Sequence, residues 1–162
     1  MTNTTPRAQI RALAHVAIRA TSLPATISFY THVLGLKQVP RPPFNFEGAW
    51  LGNEQGDALI HLYGGQRALG SDGRAPVGSA AVDHVSLWAQ GFAEQQARLR
   101  QLGLPFRVTR VPESTLAQTF VYDPNGVLIE LTYDMATEPG AAVEVGGTLK
   151  EFEPAHYAQF CD

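Results

Sequence analysis

Cysteine is almost absent from this sequence of 162 residues, which contains only Cys161. A single cysteine cannot form a disulfide within the chain. It also excludes zinc sites built from several cysteines and Cys-X-X-Cys redox centres. We therefore expect a protein of a reducing compartment, the cytoplasm.

Excess charge of one sign and long apolar runs are lacking too. Twelve Lys and Arg residues stand against 15 Asp and Glu, which gives a formal net charge of −3. Without a basic run, nucleic acid is not an expected partner. No apolar stretch approaches the ~18 residues of a membrane span, and residues 1–6 lack the apolar core of an export signal, so we expect neither a membrane partner nor export. The hydrophobic content of 44% is enough for an ordinary core.

What the sequence does contain is an internal repeat. Leu13-Ala14-His15-Val16-Ala17-Ile18 is matched by Val82-Asp83-His84-Val85-Ser86-Leu87, so the two histidines are 69 positions apart. Two later apolar segments follow the same translation, because His61 and Glu130 are also 69 positions apart. Four polar residues that interrupt apolar strands thus obey one offset, which indicates a duplicated module.

Each half of the chain reads as a strand, a helix and three further strands. In the first half Ser22 is the predicted N-cap of the helix and Gly35 the residue that ends it. The turn Asp123-Pro124-Asn125-Gly126 predicts the last hairpin of the second half. The predicted organisation is a first module at 10–64, a linker at 65–80, a second module at 81–134 and a C-terminal tail at 135–162, all within one α+β domain.

Strand alternation places His15, His61, His84 and Glu130 on the face that points away from the helix. If the two modules pair edge to edge, these four side chains converge on one concave surface. Three imidazoles and a carboxylate suit Fe(II), Mn(II), Co(II), Ni(II) or Zn(II), and we favour Fe(II) or Mn(II). A half-buried Glu130 needs a cation, an arginine or a raised pKa. The alternative is that the histidines are unrelated and lie on solvated faces, but this interpretation leaves the common offset of 69 positions unexplained.

The chain resembles the vicinal oxygen chelate superfamily, which includes glyoxalase I, extradiol ring-cleaving dioxygenases and bleomycin resistance proteins. The motifs that carry the resemblance are Ala14-His15-Val16, Phe29-Tyr30, Leu34-Gly35-Leu36, Asp83-His84-Val85 and the segment 123–130. The resemblance implies two paired βαβββ modules that form a concave mixed sheet around a metal ion. It places metal ligands at His15, His61, His84 and Glu130.

The reaction class implied by the resemblance is less specific. An extradiol-type dioxygenase is the principal expectation, because His15, His84 and Glu130 match its facial triad and His61 would be an acid/base group or a fourth ligand. Phe120 stands where those enzymes carry a tyrosine, and the loop 112–115 lacks their second histidine. A glyoxalase I-like lyase or isomerase is the alternative, although such members usually carry Glu or Gln at the position of His61. A metal-free binding protein of the bleomycin resistance type is the third interpretation.

Further expectations concern the substrate and the assembly. The resemblance implies a small-molecule substrate with vicinal oxygens and a homodimer, in which the cleft is built within one chain or across swapped chains. The aromatic residues expected to line the substrate site are Tyr63, Trp88, Trp50 and Phe120. Arg19, Arg41 and Arg107 are candidates for holding a substrate carboxylate, with solvated surface positions as the alternative. The apolar residues of the tail predict that it packs on the domain or on a partner subunit, or covers the site as a lid.

Overall fold

Two four-stranded mixed sheets with helices on one side form the protein. They are seen in a computed structural model that describes residues 12–138, 140–149 and 151–160. Cys161 and the first two residues of the predicted first module lie outside the described residues. The elements of the first module are β1 (Val16–Arg19), α1 (Leu23–Ser28), β2 (Lys37–Val39), β3 (Gly48–Gly52) and β4 (Ala58–Tyr63). The elements that follow are α2 (Gly65–Ala68), β5 (Val85–Trp88), α3 (Phe92–Gln101), β6 (Arg107–Arg110), β7 (Leu116–Tyr122) and β8 (Leu128–Asp134).

The two sheets have the same topology, which confirms the predicted α+β fold of two βαβββ modules. Their strand orders are β1-β4-β3-β2 and β5-β8-β7-β6. The first strand pairs in parallel with the last in each sheet, and the remaining pairs are antiparallel. Ala17 lies opposite His61, and Ser86 lies opposite Glu130. Each residue of the second pair is 69 positions after its counterpart in the first, so the register of the parallel strands is the same in both modules.

The first helix begins where the sequence predicts. The Ser22 side chain accepts a hydrogen bond from the Ala25 backbone N–H, and Pro24 occupies the first turn, where its missing N–H costs nothing. After Ser28 the helix continues as a π-helical segment, Phe29–Val33, whose wider turns the sequence pattern does not predict. Gly35 then adopts a φ of 76°, a conformation that glycine tolerates best, and the chain turns towards β2.

Buried polar contacts join the two modules. The Tyr30 hydroxyl, which is fully buried, donates to Asp123 Oδ2 over 3.1 Å. Asn125 Oδ1 accepts from the backbone N–H of Thr21 at 2.9 Å. These contacts attach the first helix to the turn before β8, and they hold the modules in a fixed relative position.

The sheets do not merge into one. β1 and β5 are edge strands of their own sheets, and no ladder joins them among the described residues. A cavity of about 290 Å³ lies between them and is lined by residues 16–19 of β1, by Val85 of β5 and by residues 76, 78, 79 and 82 among others. Within one chain, the predicted edge-to-edge pairing therefore does not extend to hydrogen-bonded strands.

The C-terminal tail packs on the domain, and this packing accounts for its apolar residues without a role as a lid. The 3₁₀ segment Pro154–Phe160 packs on the π-helical segment that follows α1, where the rings of Tyr157 and Phe160 lie 5.8 and 6.1 Å from that of Phe29. Tyr157 and Phe160 are buried. The predicted linker also contains a short helix, α2, that the sequence did not suggest. Across the described ranges no helix is long and apolar enough to cross a membrane.

Candidate metal centre

The four candidate ligands form two pairs, one on each sheet. His61 lies within β4 and His15 one residue before β1, so the parallel β1–β4 pairing brings them together. Glu130 lies within β8 and His84 one residue before β5, so the β5–β8 pairing does the same in the second module. Each module thus supplies half of the predicted set.

The first pair consists of two stacked imidazoles. The ring centroids of His15 and His61 lie 3.8 Å apart, and their planes differ by 19°. The opposite face of His61 stacks on Trp50 at 4.1 Å, with an angle of 6° between the rings. His61 is therefore held between two aromatic rings, in a fixed orientation.

The nitrogens of this pair are available to a ligand. His61 is only 9% exposed, yet neither His15 nor His61 forms a hydrogen bond through its ring with any residue that the structure describes. Burial lowers the pKa of His61, and the nearby charge of His15 lowers it further. At neutral pH His61 is thus an uncharged imidazole that can accept a proton or bind a metal ion.

The second pair is a histidine and a carboxylate in a hydrogen-bonded setting. His84 Nε2 lies 3.2 Å from Glu130 Oε2, and the other ring nitrogen of His84 lies 2.7 Å from Asp83. Glu130 Oε1 accepts hydrogen bonds from the hydroxyls of Ser86 at 2.7 Å and Thr132 at 2.6 Å. The carboxylate is 5% exposed, so these contacts replace its lost hydration.

The surroundings of Glu130 keep it ionised. Burial alone would raise its pKa, but hydrogen bonds from Thr132, Ser86 and Gln118 and the charge of His84 together outweigh burial and lower the pKa. A carboxylate that remains negative and holds Oε2 towards an imidazole is suited to binding a divalent cation.

Donor chemistry fits a divalent metal ion, whereas the geometry of a single chain provides only two donors at each place. Across residues 12–138, 140–149 and 151–160, no three side chains of His, Cys, Asp or Glu come together as a possible metal site. Sites for such ions normally use three or four protein ligands. A complete centre therefore requires the two pairs to meet.

Two of the predicted lining residues lie beside the pairs. Trp50 stacks on His61, and the ring of Phe120 meets that of His84 edge-on at 5.8 Å and lies opposite Glu130 in the ladder. Tyr63 contacts Phe46 at 5.5 Å, farther along the same sheet face. Trp88 is 76% exposed at the end of β5 and has no ring contact with the candidate ligands among the described residues.

Sequence reasoning assigned no role to the residues that orient Glu130. Ser86 is its register partner on β5, and Thr132 lies two residues beyond it on the same face. A signal was present, because strand alternation puts both hydroxyls on the side of Glu130. The positions of Ser86 and Thr132 in the paired strands therefore predict that their hydroxyls donate hydrogen bonds to Glu130.

Comparison with known proteins identifies similar sequences over most of the chain. Residues 12–131 match the family model described as Glyoxalase/Bleomycin resistance protein/Dioxygenase superfamily. A protein named lactoylglutathione lyase, from Salmonella typhimurium, is 33% identical over 128 residues, which are 74% of this chain and 90% of that protein. An Arabidopsis thaliana protein named Glyoxylase I 4 is 29% identical over 126 residues, 75% of this chain and 70% of that protein.

Solved structures share the fold at lower identity. A lactoylglutathione lyase from Agrobacterium tumefaciens has a TM-score of 0.56 and 23% identity, covering 78% of this chain and 96% of that one. A fosfomycin resistance protein from Listeria monocytogenes has the same TM-score at 16% identity, covering 77% and 94%. Since a lyase and a resistance protein fit equally well, this likeness shows the fold alone.

Proposed function

Because the chain belongs to the Glyoxalase/Bleomycin resistance protein/Dioxygenase superfamily, we propose that it is a divalent-metal-dependent lyase or isomerase of the glyoxalase I type. Its substrate is a small molecule with vicinal oxygens. The two curated relatives support this reaction class over the ring-cleaving dioxygenase that is the principal sequence expectation. Phe120, in place of a tyrosine, and the histidine-free loop 112–115 also favour the lyase. Cysteine content supports a cytoplasmic enzyme.

The observation that carries the proposal is the environment of His61. It is a buried, uncharged imidazole without a hydrogen-bonding partner in the described parts of the chain, and it is fixed between Trp50 and His15. Its ring nitrogens remain accessible and form no hydrogen bond with the described residues, so they are free to contact a substrate or a metal ion. A residue with only a packing role would not need this chemistry.

The stacking separates the roles of the two imidazoles. A ring nitrogen binds a metal ion in the plane of its ring, at about 2.1 Å. Rings stacked at 3.8 Å, with planes only 19° apart, cannot both direct an in-plane lone pair at one ion. In this conformation one imidazole is the ligand and the other is free. We assign His15, His84 and Glu130 as metal ligands and His61 as the general base.

A bound divalent ion would supply Lewis-acid stabilisation of the negative charge that develops on neighbouring substrate oxygens. The residues of the chain then perform the proton transfer. For the adduct of a 2-oxoaldehyde and a thiol, His61 takes the proton from the carbon that carries the hydroxyl and sulfur. The C–H electron pair forms a double bond to the neighbouring carbonyl carbon, and the π pair of that carbonyl moves to its oxygen. The proton then returns to the former carbonyl carbon, while the hydroxyl proton moves to the former carbonyl oxygen, which gives the isomeric thioester with its hydroxyl on the neighbouring carbon. The lowered pKa keeps His61 ready to accept the proton.

We place the completed centre between two chains. Each pair adjoins an edge strand, β1 or β5, and the two pairs do not meet within one chain. A two-fold symmetric dimer brings the His15–His61 pair of one chain to the His84–Glu130 pair of the other, and it does so twice. The homodimer thus supplies two equivalent metal sites, whereas a single chain supplies none.

Metal content and turnover test the reaction. Protein purified without a tag should bind about one equivalent of Mn(II), Ni(II) or Zn(II) per chain and convert the methylglyoxal–glutathione adduct to its thioester. His61→Ala should lower kcat by about 10²- to 10⁴-fold and leave metal content unchanged, as expected of a general base. His15→Ala should abolish metal binding. Ring cleavage of catechols by the Fe(II)-loaded protein without thioester formation would instead establish the dioxygenase.

Mixing inactive variants tests the shared centre. His15→Ala and His84→Ala are each expected to be inactive as pure proteins. After unfolding and refolding together, half of the dimers are mixed, and each mixed dimer has one intact site, so activity should return to about a quarter of the wild-type value. If the centre lies within one chain, mixing restores nothing, because every chain carries a defect. Co-refolding His15→Ala with His61→Ala is the matched control and should also restore nothing.

A further inference from the structure

Beside His61 lies a group of rings and cations that the proposed reaction does not use. Its members sit on the loop between β2 and β3, on β4 and on α2, and we call them the aromatic–arginine cluster. They are Arg41, Phe44, Phe46, Tyr63 and Arg67.

Arg41 is held in place by the two phenylalanines. Its guanidinium carbon lies 4.9 Å from the ring centroid of Phe44 and 4.8 Å from that of Phe46. One of its N–H groups donates to the Phe46 carbonyl oxygen at 2.9 Å. Gly48 makes room for it, because a Cβ at that position would lie 3.3 Å from the guanidinium. An arginine fixed in this way loses little side-chain entropy when it binds a ligand.

Arg67 adds a second positive charge to the cluster. Its guanidinium carbon lies 5.7 Å from the ring centroids of both Phe46 and Tyr63. Neither Arg41 nor Arg67 forms an ion pair in the described parts of the chain. The nearby carboxylate of Glu47 lies beside Gly65. Two cations without a carboxylate partner make this patch attractive to an anion.

The cluster is continuous with the candidate centre. Phe44, which is 47% exposed, lies 6.2 Å from Trp50, and Trp50 stacks on His61. Trp50 lies opposite His61 in the β3–β4 ladder. A continuous series of aromatic rings, with Phe44 tilted by 52° to Trp50, therefore runs from the proposed base to the fixed guanidinium of Arg41.

We propose that the aromatic–arginine cluster binds an aromatic ring that carries a carboxylate. The ring packs against Phe44 and Trp50, whose planes differ by 52°, and the carboxylate accepts two parallel hydrogen bonds from the planar guanidinium of Arg41, with Arg67 adding charge. If the cluster is the substrate subsite of the proposed enzyme, the natural substrate carries an aryl carboxylate. This part of the inference rests on the proposed function. Binding of an aryl carboxylate at the cluster does not depend on the proposed function, because binding needs neither a metal ion nor turnover.

Benzoate is the probe for this site, in the full-length protein with Trp88→Phe, so that Trp50 is the only tryptophan. Ligand-observed NMR measures binding, and Trp50 emission locates it. Saturable binding of benzoate is expected. Cyclohexanecarboxylate, which lacks the aromatic ring, and benzyl alcohol, which lacks the charge, should each bind more weakly. Arg41→Gln should weaken benzoate binding by about 10- to 100-fold. Arg41→Lys should recover only part of it, because lysine lacks the planar fork.

Arg110→Gln is the matched control. This exposed arginine ends β6 in the other module, and its loss should not change benzoate affinity. Absence of saturable binding below about 10 mM, or equal binding by the Arg41→Gln and wild-type proteins, overturns the proposal. Equal affinity for cyclohexanecarboxylate overturns the stacking role of the rings. Benzoate binding by a protein that lacks lyase activity would uphold the cluster and refute the proposed reaction, so the two failures are distinguishable.

Discussion

Replacing Glu130 with glutamine separates metal binding from folding. Gln keeps the shape of the side chain, and its oxygen can still accept hydrogen bonds from Ser86 and Thr132. It removes the negative charge that faces His84. The variant should therefore fold normally and lose its affinity for a divalent ion.

The magnitude follows from two opposing contributions. Hydrogen bonds to a charged acceptor contribute about 1.5–3 kcal/mol and those to a neutral acceptor about 0.5–1.5 kcal/mol, so two hydroxyls together lose about 2–3 kcal/mol. Against this, the variant no longer buries an ionised carboxylate, whose desolvation costs several kcal/mol. The metal-free stability should stay within about 1 kcal/mol of the wild type. Metal affinity should fall by at least a hundredfold, about 2.7 kcal/mol, because even residues behind a ligand commonly contribute 10- to 100-fold.

Urea unfolding of the metal-free protein and thermal unfolding with added Mn(II) or Zn(II) measure the two quantities. Wild-type protein should gain stability with metal concentration, and the Glu130→Gln protein should not. Glu153→Gln is the control, because Glu153 faces His156 at 3.7 Å in an exposed pair outside the centre. A metal-dependent rise in the Glu130→Gln protein equal to that of wild type would refute the ligand role. A loss above about 3 kcal/mol without metal would show that Glu130 is chiefly structural.

Three further predictions concern stability, each measured by urea unfolding. Burial raises the pKa of Asp123 above 3.8, so this group is charged only above its raised pKa. Tyr30→Phe should then cost about 1.5–3 kcal/mol at a pH above the raised pKa of Asp123 and about 0.5–1.5 kcal/mol below it, and a cost that does not change across a pH series would contradict an ionised acceptor. Phe160→Ala should cost about 3 kcal/mol through the cavity left beside Phe29, whereas a loss below 1 kcal/mol would mean that the tail is not packed. Ser22→Ala should cost about 0.5–1 kcal/mol through loss of the N-cap, and no loss would show that the cap does not stabilise α1.

The sequence was sufficient to predict the two modules and the strands that carry the candidate residues. A strand period of two and a repeat offset of 69 can be read from the sequence, and they place the four residues on equivalent strands of the two modules. The proximity of His15 to His61 and of His84 to Glu130 comes instead from the parallel pairing of those strands. The cap at Ser22 and the glycine at position 35 were also predictable, because both satisfy requirements of the nearest few residues.

The relative position of the two pairs was not predictable. It depends on contacts between residues that are far apart in sequence, such as Tyr30 with Asp123 and Thr21 with Asn125, and no periodicity encodes them. The exposure of Trp88 has the same origin, since an aromatic residue at a strand end is buried only if another element covers it.

Net charge conceals the electrostatic character of the proposed site. The chain carries a formal charge of −3, yet the candidate ligands hold one carboxylate among three imidazoles, and a divalent ion would leave this set with a net charge of +1. Arg41 and Arg67 add positive charge beside Phe46 in the same module as His61. A local field of this sign attracts an anionic substrate and favours the transition state, in which negative charge develops on the substrate oxygens. An acidic protein can therefore present a site suited to a small anion, because a charge averaged over 162 residues does not describe the few that face the ligand.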